Sequence, residues 1–183
     1  MKIETGMQFP SFSFMREDGT SHTTEEELSL HAKTIFYVLR YIGCPVCRLD
    51  VHTINERYEE FVRKDAQVCV VLQSDPAHVQ KEMERSNETL KVPVICDSEC
   101  VIYDLLEIKE ADNMLKLVGG NLLKMVSKGK EAGKKGYSHG DYEGREKQLP
   151  AVFIVNKEGI TEYVHYAKNM TDLPSVDELL EKV

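Results

Sequence analysis

The stretch TIFYVLRYIGCPVCRLD, residues 34–50, changes its hydrophobic period half-way along. From Thr34 to Tyr41 it is apolar on both faces and rich in β-branched and aromatic side chains. This pattern suits a central strand covered on both sides. Gly43 ends the run. From Pro45 onward, Cys47, Val51, Ile54, Tyr58 and Phe61 recur at intervals of four, three, four and three, which is one apolar stripe of a helix. Pro45 fits the first helical position, where its missing N–H forfeits no bond. Cys44 and Cys47 therefore sit where a buried strand passes into a helix, at the end of the sheet where open α/β folds place their chemistry.

The neighbouring segments extend the same architecture. Gln67–Gln73 reads as a second buried strand, so the intervening helix makes a right-handed crossover between parallel strands. Ser74-Asp75-Pro76 opens a helix that runs to about Asn87. Residues 92–96 form a short strand whose Pro93 marks a sheet edge or a strand start. Ser98 caps a helix through Leu106, and 111–126 is a further helix weakened by Gly119-Gly120. Residues 127–149, rich in Gly, Lys and Glu, read as a long loop insertion. Residues 151–155 and 160–166 form a hairpin around Asn156-Lys157-Glu158-Gly159, and a closing helix begins at Asp177. Near the N-terminus, residues 7–15 and the turn signal at 17–20 indicate a hairpin or extended arm. The expectation is one α/β domain over 1–183, a three-layer sandwich with a mixed central sheet and helices on both faces.

Composition narrows the function. The chain has 183 residues, 42% hydrophobic and 30% charged, with a net charge of −8. That field repels nucleic acid and anionic membranes. No stretch approaches the ~20 apolar residues of a membrane span, and the first residues lack the apolar core of an export signal. A cytoplasmic location is expected. Five cysteines are an odd number without the spacing of a disulfide framework, so the close pair reads as redox-active or metal-binding.

Cys44-Pro45-Val46-Cys47 leaves three readings open: a redox pair, a metal clamp, or two core residues. A thiolate at a helix start is stabilised by free N–H groups and the helix dipole. Cys44, preceding the helix, is the more exposed candidate, with a pKa lowered from about 8.5 to near 7 or below. Arg40 and Arg48 are candidate sources of positive charge. Cys44 then attacks an oxidised sulfur and Cys47, one turn on, resolves the intermediate. Cys47 also lies on the apolar stripe, which is the core reading. A zinc site would draw on Cys44, Cys47, Cys96 and Cys100. Cys69, mid-strand, reads as buried and inert. The six histidines show no metal-ligand spacing, and there is no phosphate loop. Tyr137, His139 and Tyr142 are the candidate contacts if the 127–148 segment overhangs the cysteines.

Three segments together carry a resemblance. They are Gly6-Met7-Gln8-Phe9-Pro10-Ser11-Phe12 followed by Asp18-Gly19, the strand leading into Gly43-Cys44-Pro45-Val46-Cys47-Arg48, and Gln148-Leu149-Pro150-Ala151-Val152-Phe153-Ile154-Val155 through Gly159. With these the chain resembles the thioredoxin-fold redoxins, the peroxiredoxin-like AhpC/TSA family. The resemblance implies a thioredoxin-like fold and thiol redox activity. It also implies a cis Pro150 that faces the cysteines and leaves backbone free to bind substrate. Two departures matter. The peroxidatic P-x-x-x-T-x-x-C pattern is absent, since Tyr41 and Tyr37 stand at the Thr and Pro positions counted from Cys44. The family arginine before the late strand is replaced by Pro150, with Arg145 several residues away. These departures favour thiol–disulfide exchange with a protein or small-molecule substrate and an external reductant, without cofactor or metal. Hydroperoxide reduction by the same cysteines is the alternative, and a zinc-stabilised or non-enzymatic binding module is the second.

Overall fold

A computed structural model describes residues 2–183. Its framework is one seven-stranded sheet in the order β2-β1-β5-β4-β3-β6-β7. The central strand β3 (Lys33–Val38) pairs in parallel with β4 (Ala66–Leu72) and antiparallel with β6 (Ala151–Asn156). β5 (Val94–Cys96) continues the parallel part, and β7 (Thr161–Tyr166) completes the late hairpin. The N-terminal hairpin of β1 (Ser13–Arg16) and β2 (Ser21–Thr23) pairs with β5. The short Pro-containing strand is therefore interior. Pro93 lies just ahead of it and still contributes its carbonyl, which accepts from Val70 N–H at 2.9 Å.

Alternation along β3 explains the layers. Ile35 and Tyr37 enter one apolar core, and Phe36 and Val38 enter the other. The first core is closed by α2 (Pro45–Glu56), α4 (Pro76–Ser86) and α8 (Val176–Lys182), through Val51, Ile54, Val79, Met83 and Leu179. The second is closed by α1 (Thr24–Leu30) and α5 (Val101–Leu105), through Leu28, Ile102 and Tyr103, with Phe9 stacked on Phe36 at 4.7 Å. A sheet apolar on both faces needs cover on both, and the result is the expected mixed α/β sandwich of the thioredoxin type. No helix among the described residues is long and apolar enough to cross a membrane.

Two expected helices are each split. The stripe from Pro45 breaks at Arg57, and α3 (Tyr58–Val62) follows as a separate turn. The helix expected over 111–126 becomes α6 (Met114–Val118) and α7 (Leu122–Lys134), with Gly120 at φ +98° between them. The long loop expected over 127–149 is thus a correction: it is helical through Lys134. Gly129 and Gly133 read as loop punctuation, but they sit on α7 with nothing within 4 Å of where a Cβ would be. Docking against α2 overrides their low propensity. Ala132 packs with Leu49 and Tyr137, and Lys128 pairs with Asp50.

Candidate active site

The strand-to-helix junction is built as its residue types require. Cys44 is the N-cap of α2 in extended conformation (φ −77°, ψ 118°), and Pro45 opens the helix. Cys47 lies one turn on, where i and i+3 share a face. Both thiols are free. The Cys47 thiol hydrogen-bonds the Cys44 sulfur, the largest cause holding Cys44 down at about 6. Burial opposes this shift. The Arg40 guanidinium and the backbone N–H groups of Cys47 and Val46 reinforce it. The same hydrogen bond, with burial, drives Cys47 well above the ordinary thiol range. The pair is therefore asymmetric, one thiolate accepting from one thiol.

The arginines divide. Arg40 Nη1 lies 3.6 Å from the Cys44 sulfur. Arg48, although adjacent to Cys47 in sequence, points away to α4. It pairs with Glu82 Oε2 at 2.5 Å and Glu88 Oε2 at 3.3 Å, and lies 5.0 Å from the Tyr137 ring centroid. Arg145 is also remote, forked onto Asp104 at 2.6 and 2.8 Å.

The expected exposure of Cys44 is corrected: it is 3% exposed and Cys47 4%. Both sulfurs belong to the apolar core on the α2 side of the sheet, and the segment between α7 and β6 folds against the neighbouring Gly43 and Tyr41. Gly140 N–H donates to Gly43 C=O at 2.8 Å, bringing the Gly140–Asp141 backbone against Gly43. The His139 and Tyr142 rings lie 4.2 Å apart, tilted by 31°, each against the Tyr41 ring. The cover is tied to α4 by Lys81–Asp141 at 2.6 Å and His78–Glu143 at 3.0 Å, and by Ser74 Oγ–H donating to Glu143 at 2.7 Å. His139 and Tyr142 thus overhang the junction as contemplated, whereas Tyr137 faces Arg48 and Glu88.

A β-carbon at Gly43 would lie 2.5 Å from Asp141 O, a backbone atom held by its own chain. Gly43→Ala is expected to displace the cover and cost about 1–3 kcal/mol. Native-state labelling of Cys44 by a bulky maleimide then rises, about tenfold for each ~1.4 kcal/mol of easier opening. Unchanged urea midpoint and labelling rate would show that the cover does not rest on this contact.

Pro150 differs from expectation. No peptide bond among the described residues is cis, so Leu149-Pro150 is trans. The chain enters β6 already extended, with Leu149 N–H on Lys109 C=O at 3.1 Å and Pro150 C=O accepting from Ala167 N–H at 3.0 Å. Pro150 lines a cavity of about 210 Å³ with Ile108, Leu149 and Tyr166, to which neither cysteine contributes. The four cysteines of the zinc alternative do not converge. Among the described residues only Asp75, His78 and Glu143 bring three potential metal donors together. Cys100 S–H instead donates to Gln73 at 3.1 Å, and Cys69, read as inert, donates to Glu27 at 3.4 Å. The sequence reading missed Tyr41 as a site residue. Its hydroxyl lies 3.4 Å from Arg40 Nη2 and 3.2 Å from His139 Nε2. The only signal was an aromatic residue at the place of the family's threonine.

Known proteins share the family and the fold of this chain. The AhpC/TSA family model matches residues 5–164. No curated protein matches the chain. A peroxiredoxin-like protein from Aquifex aeolicus superposes with TM-score 0.66 at 18% identity, covering 100% of this chain and 86% of that one. A cysteine-to-serine mutant of peroxiredoxin 6 from Arenicola marina gives 0.70 at 15%, over 97% and 70%. Yeast mitochondrial 1-Cys peroxiredoxin gives 0.66 at 14%, over 97% and 73%. At these identities the solved structures establish the fold, and the match along most of the chain establishes the family. The chain belongs to the AhpC/TSA family and is a peroxiredoxin-like, thiol-dependent oxidoreductase.

Proposed function

We propose that Cys44 is the nucleophile and Cys47 the resolving thiol of a dithiol peroxidase acting on small hydroperoxides. The observation that carries this reading is the buried Cys44 thiol held at about 6 by Cys47, with Arg40 beside it. The sequence departures pointed first to disulfide exchange, because the family arginine and threonine are missing. Arg40, four residues before Cys44, supplies a guanidinium at the sulfur from another position. A sulfur only 3% exposed favours a small oxidant over a folded protein disulfide. Disulfide exchange remains the second reading, since no threonine hydroxyl orients a peroxide.

The steps balance simply. Cys44 thiolate attacks one peroxide oxygen and the O–O bond breaks. Sulfur is oxidised to the sulfenic acid, and the peroxide leaves as an alkoxide that takes one proton. Cys47 then attacks the Cys44 sulfur, its proton leaves with the hydroxyl as water, and a Cys44–Cys47 disulfide forms. An external thiol reductant restores both thiols. The yeast neighbour is described as resolved through glutathione and thioredoxin systems, and a reductant of that kind is our proposal here. Five unpaired cysteines support a reducing compartment, in keeping with a cytoplasmic location.

The reduced protein is mixed with one equivalent of cumene hydroperoxide across a pH series. Two thiols are lost per peroxide, and peptide mapping finds Cys44 joined to Cys47. On the acid side the rate follows the thiolate fraction, rising through about pH 6 and falling about tenfold per pH unit below about 5. Reaction no faster than that of free cysteine, or oxidation centred on Cys69, Cys96 or Cys100, would refute the assignment.

A further inference from the structure

The leaving alkoxide needs a proton, and the two groups nearest the sulfur cannot give one. Arg40 does not deprotonate. The Cys47 thiol is raised well above its ordinary range, and its proton is consumed in the second step. The junction offers a third route. Arg40 reaches Cys44 with Nη1 at 3.6 Å and the Tyr41 hydroxyl with Nη2 at 3.4 Å. One rigid guanidinium fork therefore reaches both the sulfur and the hydroxyl. Tyr41 is fully buried, and its hydroxyl lies 3.2 Å from Nε2 of His139, a residue at the surface of the cover.

The histidine's tautomer follows from its surroundings. Nδ1 lies 2.8 Å from Gly140 C=O, and a carbonyl can only accept, so Nδ1 carries a proton. In the neutral ring Nε2 is then the acceptor of the Tyr41 O–H. When solvent adds a proton at Nε2, that N–H donates to the Tyr41 oxygen and frees the phenol O–H to turn toward the sulfur. Burial raises the Tyr41 pKa, so the phenol stays protonated and is a weak acid alone. It serves as a donor when a second group replaces its proton as it leaves. The Tyr142 ring at 4.2 Å holds the imidazole in place.

We infer that Tyr41 and His139 form a proton relay from solvent to the oxygen leaving Cys44, so that the segment covering the cysteines also completes the chemistry. Resting on the peroxidase reading, the relay supplies its missing proton. One proton enters at His139 Nε2 and one passes from Tyr41 to the alkoxide, which leaves as an alcohol. No net charge remains on either side chain. Histidine suits the outer end because one ring nitrogen can take up a proton while the other keeps its own.

The test compares leaving groups. Cumene hydroperoxide leaves as an alkoxide and requires the proton. Peracetic acid leaves as acetate, and iodoacetamide as iodide, and neither does. Tyr41→Phe and His139→Ala are expected to slow cumene hydroperoxide by about 100-fold, the usual size of general-acid assistance. Reaction with peracetic acid and alkylation by iodoacetamide stay within about twofold of the unaltered protein, a bound we set on solvent access and thiolate character. Added imidazole restores most of the lost rate in His139→Ala. Equal slowing of all three reagents would reduce both residues to packing roles and overturn the relay, as would no slowing of the hydroperoxide. If the unaltered protein alkylates as a low-pKa thiol yet ignores both peroxides, the peroxidase reading fails first and the relay falls with it.

Discussion

Cys44→Ser is expected to abolish hydroperoxide consumption, by about 10⁴-fold or more, because a serine hydroxyl at neutral pH is not a nucleophile without a base beside it. Circular dichroism and thermal midpoint should change little, since serine is nearly isosteric. Substitution of Cys47 separates the two roles proposed for it. Cys47→Ser keeps a hydrogen-bond donor for the Cys44 thiolate, so the first oxidation persists. The product then stops at the sulfenic acid, which dimedone traps with one label per chain. Cys47→Ala removes the donor that is the largest cause of the lowered Cys44 pKa, so alkylation half-points should move up from about pH 6. A Cys44→Ser protein that still consumes hydroperoxide would move the nucleophile elsewhere. A Cys47→Ser protein that still forms an intrachain disulfide would assign resolution to another cysteine.

Arg48→Met should be the most damaging change outside the cysteines. Arg48 and Glu82 are 4% and 5% exposed, and they pair at 2.5 Å between α2 and α4. Methionine fills most of the space but leaves the carboxylate in a nearly dry site. Breaking such a pair from one side costs about 3–5 kcal/mol. The lower end is expected, about 3 kcal/mol, because Arg85 Nη1 remains 3.2 Å from Glu82. For a chain of this length that lowers the melting temperature by roughly 6–12 °C. Arg48→Met combined with Glu82→Met should recover much of the loss, since an apolar pair of similar volume replaces a buried ion pair without large penalty. The cover should loosen as well, because Tyr137 sits on Arg48 and bonds Glu88. A loss below about 1 kcal/mol in urea unfolding would mean that water or Arg85 already satisfies Glu82.

The geometry of the junction was legible because it is local. A run apolar on both faces has to be a covered strand, the shift to a 3.6 period has to be a helix, and a proline at the first helical position marks the boundary between them. Those three facts place Cys44 at a helix N-terminus one turn from Cys47, whatever the rest of the chain does. The late hairpin and the helix crossover followed from the same alternation and from chain connectivity. The split at Gly119-Gly120 showed as weakness in an expected helix. Helix α7 did not show, because its glycines lower the local preference and only docking against α2 offsets that.

What the tertiary structure alone supplied lies between segments far apart in the chain. No spacing rule distinguishes Arg40, which reaches the sulfur, from Arg48, which turns to Glu82 on α4. The cover beside Cys44 forms by Gly140 meeting Gly43 across almost a hundred residues. Pro150 is trans, against a family resemblance that implied the reverse. Local pattern reports the intrinsic preferences of adjacent residues. Charge, exposure and hydrogen-bond partners at a site are set by which distant elements fold over it, and these turned two neighbouring thiols into one buried thiolate beside an arginine.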